Sequence, residues 1–143
     1  MIEETRIRFI GKVEHASEEL CEIRVSNEFC GGLKGLSTFS HIIVLYWFHK
    51  RDDEVNRRTL RVTPRKHPGA PEVGVFASRS PSRPNSIGLC VAEVLKIEDC
   101  LLAVKGLDAF EGSPVIDIKP YLPRADSVPN AIVPEWTLRG PKT

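Results

Sequence analysis

The sequence predicts a small, mostly β protein: a closed or nearly closed barrel with short helical turns and no Rossmann domain. Many short segments alternate apolar and polar residues or are rich in β-branched side chains, as strands are. The joins between these segments are rich in proline and glycine, with 11 and 10 of each in 143 residues. No Gly-x-Gly-x-x-Gly connects a strand to a helix, so a dinucleotide site of the Rossmann kind is not supported.

The first part of the chain contains three predicted strands. Residues 6–13 alternate charged and apolar side chains, and residues 20–25 alternate again, which predicts a hairpin-like pair. Residues 26–40 contain three glycines and predict a short helical turn that these glycines interrupt. Residues 41–48 are the most apolar segment, and their β-branched and aromatic content favours a buried central strand.

The middle of the chain is charged and rich in proline. Residues 51–58 predict a charged insertion with about one turn of helix. Residues 60–62 predict a short strand that Pro64 ends. Residues 65–71 must form a loop, because their prolines exclude both ladder pairing and helix interiors.

The second part predicts three more strands. Residues 87–97 form a long strand, 101–107 return from it through a tight turn, and 115–120 alternate before two prolines. We therefore expect residues 1–125 to form one barrel domain. Residues 126–143 are expected to form a proline-rich tail that packs on the barrel or on a second subunit.

Composition limits the class of protein. The formal net charge is only +1, so no global field steers the chain onto nucleic acid, and any cationic surface must be local. No apolar run reaches the length of a membrane span, and the charged N-terminus lacks a signal-peptide core. We expect a cytoplasmic protein that does not enter a membrane.

Cysteine and histidine spacing predicts neither a metal site nor a disulfide framework. The four cysteines contain no Cys-x-x-Cys pair, and the four histidines are dispersed along the chain. Reduced and mostly buried cysteines are expected, with no structural metal.

The most informative segment is residues 74–88, which places Arg79 and Arg83 four residues apart in a loop stiffened by Pro81 and Pro84. Proline lowers the entropy that is lost when a loop is ordered. The guanidinium group offers a planar fork of donors that suits carboxylates and phosphates. The loop therefore predicts a binding site for an anionic group; the alternative is a proline-rich turn with two solvated arginines.

A second segment that contains possible catalytic or binding residues surrounds the tight turn at residues 112–114. Carboxylates flank this turn at Asp108, Glu111 and Asp117. Asp117, Lys119 and Tyr121 share strand parity, so they project to one face that could bind polar groups or move a proton. A salt-bridged, solvent-facing strand is the alternative interpretation.

Three ordered blocks, residues 39–49, 74–88 and 112–121, closely resemble the TsaA-like (TrmO) family of S-adenosylmethionine-dependent tRNA methyltransferases. The resemblance covers roughly residues 5–125. It implies a small β-barrel without a Rossmann domain, a homodimer, and S-adenosylmethionine bound near the dimer interface. It also implies methylation of N6 on the threonylcarbamoylated adenosine beside the tRNA anticodon.

The same resemblance implies a cofactor pocket drawn from three segments. The implied cofactor-binding residues are Phe48, His49, Lys50, Phe76, Ser78, Arg79, Arg83, Asn85, Leu89, Asp108, Gly112, Ser113, Pro114 and Val115. Arg79 would pair with a carboxylate or an RNA phosphate, and Phe76 or Phe48 would stack on adenine or face the sulfonium. Asp117 and Tyr121 are the candidate catalytic residues, which would orient or accept the proton of the adenine nitrogen.

The chain differs from the family pattern in two ways. Residues 14–36 contain no Pro-Arg-Gln segment, so part of the cofactor contacts is expected to differ. We expect no additional C-terminal domain after the barrel, so RNA recognition is expected to come from a barrel dimer. The near-neutral charge disfavours tight non-specific RNA binding. Two alternatives remain: a methyltransferase that acts on a small molecule, and a non-catalytic barrel that binds a nucleotide or RNA.

Overall fold

The computed structural model describes residues 2–142, which divide into two compact units. The barrel unit consists of residues 2–47 and 87–122, and the insertion unit consists of residues 48–86 and 123–142. The chain forms eight strands: β1 Gly11–Ala16, β2 Cys21–Val25, β3 His41–Trp47, β4 Arg61–Val62, β5 Val73–Gly74, β6 Ile87–Glu98, β7 Leu101–Lys105 and β8 Pro114–Pro120.

Six of these strands form a closed antiparallel barrel in the order β1-β2-β7-β6-β3-β8. The predicted mostly β barrel is therefore confirmed. Alternation along the strands fills its interior, since every second side chain points inward. The fully buried core side chains are Val13, Ile23, Val25, Ile42, Val44, Leu102, Val104 and Val115.

The predicted buried central strand is confirmed as β3, which pairs with β6 on one side and β8 on the other. The first strand differs from the prediction, because it begins at Gly11 and leaves residues 6–9 outside the ladder. The physical reason is the length of its partner: Gly11 lies opposite Val25, where β2 ends. Ile10 still donates its N–H to the carbonyl of Val115 and accepts the N–H of Ser26. Phe9 instead packs its ring against Trp47, with 6.0 Å between the centroids.

The glycine-containing segment after β2 forms two 3₁₀ turns, Asn27–Leu33 and Leu36–Thr38, as its predicted helical turn suggested. Gly35 between them has φ 86°, a left-handed conformation that glycine adopts without a steric cost. The turn that joins β6 to β7 contains Asp99 at φ 55°.

The expectation of reduced cysteines is wrong for one pair, since Cys30 and Cys100 form a disulfide across a sequence separation of 70 residues. Their proximity follows from the barrel register. β2 pairs with β7, and the Val25 N–H donates to the carbonyl of Cys100, which brings the turn after β2 to the turn before β7. The spacing of the cysteines in the sequence does not reveal this long-range contact. Cys21 and Cys90 are free, and burial raises the pKa of the Cys21 thiol.

The insertion unit contains a small β4–β5 pair, helix α1 Glu54–Arg58, and a 3₁₀ turn at Val75–Ala77. The C-terminal tail adds helix α2 Pro123–Asp126 and a 3₁₀ turn at Glu135–Leu138. The helical turn in 51–58 and the short strand before Pro64 match their predictions. The sequence analysis predicts no helix in this part of the chain, although proline is favoured at the first position of a helix, where Pro123 stands in α2. The domain boundary at residue 125 stays a prediction.

Within residues 2–142, none of the helices is both long and apolar enough to cross a bilayer. The same residues contain no group of three or more His, Cys, Asp or Glu side chains that could hold a metal ion.

Candidate functional site

The loop from Ser78 to Ser86 is ordered by its own serines. The Ser78 hydroxyl donates to the carbonyl of Val75 at 3.0 Å and accepts the N–H of Ser80 at 3.3 Å. The Ser80 hydroxyl in turn accepts the N–H of Ser82 at 3.1 Å. Serine hydroxyls commonly form such local turns with the backbone two residues on. The alternating serines therefore replace the ladder bonds that this segment cannot make as a strand.

Arg83 turns its guanidinium back onto the loop. Its Nη1 atom donates to the carbonyls of Ser78 and Ser80, at 3.2 and 3.0 Å. Arg83 therefore braces the loop from within. Of the two arginines that predicted an anion site, this one already has partners inside the protein.

Helix α1 supports the loop from outside. The Asn56 side chain accepts the Ser82 hydroxyl at 2.6 Å, and Arg57 Nε donates to the carbonyl of Pro84 at 2.9 Å. Asp53 caps this helix, accepting the backbone N–H of Asn56 at 2.8 Å and its side-chain amide at 2.7 Å. These hydrogen bonds hold the pKa of Asp53 below its ordinary value. The charged insertion, which the sequence predicts only as about one turn of helix, thus positions the loop of residues 78–86.

Three exposed side chains of residues 74–88 are available to bind a ligand. Arg79 is exposed, and its guanidinium makes no hydrogen bond or ion pair with any residue between 2 and 142. Phe76 is 81% exposed, although a phenylalanine ring is normally buried. Asn85, near the end of the loop, is exposed as well. The loop thus presents a donor fork, a stacking surface and an amide on a rigid backbone.

The residues that open and close the insertion unit meet each other. The Phe48 N–H donates to the carbonyl of Ser86 at 2.7 Å, while His49 is half-buried and Lys50 is exposed. Ser86 is fully buried, and its hydroxyl has no hydrogen-bond partner in the described residues. Its residue type alone does not distinguish Ser86 from the other serines of the loop. An unsatisfied buried hydroxyl is costly, so it is a candidate to bind a polar atom of a ligand.

The predicted site residues of the second segment lie in the barrel unit, where the turn at 112–114 is already satisfied. The Gly112 N–H donates to the carbonyl of Val13 at 2.7 Å, and the Ser113 N–H donates to that of Phe110 at 3.0 Å. Pro114 has no N–H, and Val115 lies in the core. Backbone donors of this turn are therefore engaged inside the barrel. The left-handed φ of Gly112, 87°, lets the turn close.

A shallow cleft of about 500 Å³ lies beside this turn within the barrel unit. Asp108 is exposed at its edge, and its carbonyl accepts the hydroxyl of Tyr46. Phe110 and Glu111 line the cleft as well, together with Ser17 and Glu18 from an earlier part of the chain. Leu89 lies on the outer wall of β6 and is 42% exposed.

The two candidate catalytic residues are also in the barrel unit. Asp117 pairs with Lys119 at 3.1 Å and accepts the N–H of Ile118 at 2.9 Å. The shared face that strand parity predicted for Asp117 and Lys119 is present. Tyr121 is half-buried just after β8, and its N–H donates to the carbonyl of His41.

Comparisons with known proteins point to one family. Residues 11–127 match the family described as the tRNA-methyltransferase O N-terminal domain. An S-adenosyl-L-methionine-binding protein of Archaeoglobus fulgidus is 50% identical over 113 residues, which cover 78% of this chain and 76% of that protein. A tRNA (adenine(37)-N6)-methyltransferase of Escherichia coli is 39% identical over 125 residues, which cover 85% of this chain and 52% of that enzyme.

A solved structure agrees with these sequence matches. The crystal structure of TrmO from Pseudomonas aeruginosa superposes with a TM-score of 0.70 and 27% identity, covering 91% of this chain and 62% of that one. The chain thus spans about half of the Escherichia coli enzyme and under two thirds of the solved chain.

Proposed function

The chain belongs to the family of tRNA-methyltransferase O N-terminal domains, and from this membership we propose that it methylates a tRNA adenosine with S-adenosylmethionine as the methyl donor. The acceptor is N6 of the threonylcarbamoylated adenosine beside the anticodon. The observation that supports this proposal most is the rigid loop of residues 78–86, which presents the Arg79 guanidinium, without a hydrogen-bond or ion-pair partner among residues 2–142, three residues after the exposed ring of Phe76.

The free groups of the insertion unit fit the chemistry of this cofactor. Arg79 binds the carboxylate of the cofactor's methionine part through its donor fork. Phe76 stacks on the adenine ring, and the buried Ser86 hydroxyl gains the polar partner that it lacks in the protein. Arg83 and Ser78 act by holding the loop in shape. Phe48, His49, Lys50 and Asn85 complete the contribution of this unit.

The barrel unit contributes a second group of residues in this proposal. Leu89, Asp108 and the turn at 112–115 supply further cofactor contacts in this proposal. Within the turn, the N–H groups of Gly112 and Ser113 and the carbonyls of Ser113 and Val115 already form backbone hydrogen bonds. S-adenosylmethionine supplies a methyl group activated by its positively charged sulfur. Asp117 takes up the proton that leaves the adenine nitrogen, and Tyr121 orients that nitrogen through its hydroxyl. Positioning supplies the rest of the rate enhancement.

The experiment that tests the function incubates the purified protein with S-adenosylmethionine and tRNA from a strain that lacks this methylation, and analyses the nucleosides by mass spectrometry. Methylated threonylcarbamoyladenosine is expected with the wild-type protein. Asp117→Asn is expected to lower the rate by about 10²–10⁴-fold, with unchanged cofactor affinity, because general bases contribute in that range. Tyr121→Phe tests the orienting hydroxyl in the same assay.

Unmethylated tRNA would contradict the proposal. In that case, cofactor turnover with a small-molecule acceptor would indicate the first alternative. RNA binding without turnover would indicate a non-catalytic module.

We also propose that the protein is a homodimer that works in the cytoplasm, where tRNA is modified. The outer wall of the barrel carries a strip of cross-strand apolar pairs: Ile43–Val91, Leu45–Leu89 and Trp47–Ile87. On β6 these side chains are 39–42% exposed. A contiguous apolar strip on a strand wall is typical of a subunit interface, and a second copy can cover it with the same strip.

The dimer is tested by light scattering after size-exclusion chromatography. The wild type is expected at twice the chain mass of 16.0 kDa. Leu89→Glu is expected to give the single-chain mass, because a charge in the centre of the strip has no partner. Leu95→Glu is the matched control: Leu95 is 48% exposed on the same strand but lies at a register shift outside the paired strip. A wild-type protein at 16.0 kDa would rule the dimer out.

A further inference from the structure

The two units carry charges of opposite sign, although the whole chain is nearly neutral. Residues 48–86 and 123–142 contain 12 of the 20 Lys and Arg but only 6 of the 19 Asp and Glu. The barrel unit holds the remaining 8 basic and 13 acidic residues. The net charge of +1 is therefore the sum of +6 in the insertion unit and −5 in the barrel unit. A polyanion is attracted to one unit and repelled by the other.

Four of the six acidic residues of the insertion unit pair with arginines, so part of its positive charge lies on residues outside these pairs. Four carboxylates lie in ion pairs with arginines: Asp52 with Arg57, Glu54 with Arg58, Glu72 with Arg61 and Glu135 with Arg139. Asp53 caps α1. Arg65 and Lys66, by contrast, are exposed and have no ion pair with any described residue.

The C-terminal tail holds the loop that carries these two cations. We define the basic loop as residues 63–71. His67 in this loop is 91% buried, its Nδ1 atom hydrogen-bonds the carbonyl of Arg139 at 2.6 Å, and its ring meets Trp136 edge-on at 5.6 Å. Arg139 Nη1 donates to the carbonyl of Pro68 at 3.1 Å.

The close contact between tail and basic loop requires glycine at position 140. Gly140 has φ 85°, and a Cβ there would collide with the carbonyl of Lys66. Two adjacent cations thus sit on a proline-rich loop that the tail immobilises. Such preorganisation lowers the entropy lost when the loop binds a partner.

We propose that the basic loop is a docking element for the phosphate backbone of RNA. It is separate from the loop of residues 78–86, and the C-terminal tail holds it in place. Arg65 and Lys66 each contact a phosphate, and the uncompensated charge of the insertion unit attracts the RNA from a distance. The partner is RNA because this inference rests on the proposed tRNA methylation, which requires a polyanion to reach the protein. The tail, which lacks a role in the cofactor site, gains one as the support of this loop.

The test measures the affinity of a fluorescent anticodon stem-loop RNA at several salt concentrations. The double variant Arg65→Ala/Lys66→Ala is expected to lower the slope of log affinity against log salt by about 1.5, since each phosphate contact contributes about 0.7–0.9. At 100 mM salt its affinity should fall at least about fivefold. Calorimetry should show unchanged cofactor binding.

Two further variants separate local contacts from charge and folding. Lys34→Ala/Lys105→Ala removes two exposed, unpaired lysines of the barrel unit and should leave the salt slope unchanged. Gly140→Ala keeps every charge but displaces the basic loop, and should weaken RNA binding without changing cofactor affinity.

An unchanged slope in the Arg65/Lys66 variant would overturn the inference, as would an equal loss in the Lys34/Lys105 variant. Binding to anionic lipid vesicles that depends on Arg65 and Lys66, without RNA binding, would also overturn it. Cofactor binding and tRNA methylation by the wild type would still stand in these cases, so failure of the inference is distinguishable from failure of the proposed function.

Discussion

Replacing Arg79 by alanine is expected to weaken S-adenosylmethionine binding by about 10–100-fold without changing the stability of the fold. The guanidinium has no hydrogen-bond or ion-pair partner among residues 2–142, so its removal breaks no polar contact of the described structure. A hydrogen bond between charged groups contributes roughly 1.5–3 kcal/mol, which corresponds to this loss in affinity. Isothermal titration calorimetry gives the affinity, and thermal unfolding gives the stability.

Two variants serve as controls for Arg79→Ala. Arg79→Lys keeps the charge but not the planar fork, and its affinity should lie between those of the wild type and the alanine variant. Arg58→Ala removes an exposed arginine of the same unit that pairs with Glu54, and it should bind the cofactor like the wild type. An Arg79→Ala protein that binds with wild-type affinity would remove Arg79 from the site.

Replacing Arg83 by alanine is expected to lower both the free energy of unfolding and cofactor affinity. Its guanidinium holds the carbonyls of Ser78 and Ser80, and these two bonds shape the turn that presents Arg79. Their loss should cost about 1–3 kcal/mol of stability, because both bonds involve a charged donor that is only partly buried. Affinity should fall about tenfold or more, since the loop must then be ordered on binding.

The contrast between the two arginines is the informative readout. Denaturant unfolding should show a lower midpoint for Arg83→Ala and no change for Arg79→Ala, while both lose affinity. Hydrogen exchange at the amides of Ser80 and Ser82 should accelerate in Arg83→Ala, since their acceptors are the serine hydroxyls of the braced loop. Normal stability and normal exchange in Arg83→Ala would show that the hydrogen bonds of Arg83 do not stabilise the loop.

The barrel was predictable because strand patterns are local. The alternation in 20–25 and the apolar run of 41–48 each specify a strand and the face that it buries. The N-terminal boundary was not predictable, because Gly11 begins β1 only where its partner β2 ends. The Cys30–Cys100 disulfide was missed for the same reason: the register between β2 and β7 sets it, and spacing does not.

The sequence predicted which loop forms the site but not the role of each residue in it. Residue types in 74–88 indicated an anion site with two arginines, yet only the structure separates Arg83, which braces the loop, from Arg79, which is free. The support from Asn56 and the buried hydroxyl of Ser86 depend on contacts distant in sequence. Net charge was misleading in a similar way, because it averages a basic unit with an acidic one.

The central claim is that the loop of residues 78–86, together with Phe76, holds the methyl donor. A crystal structure of the protein soaked with S-adenosylmethionine tests it most directly. We predict density for the cofactor with its carboxylate on the Arg79 guanidinium and its adenine against the Phe76 ring. Cofactor density elsewhere, with Arg79 and Phe76 still in contact with solvent alone, would contradict the account.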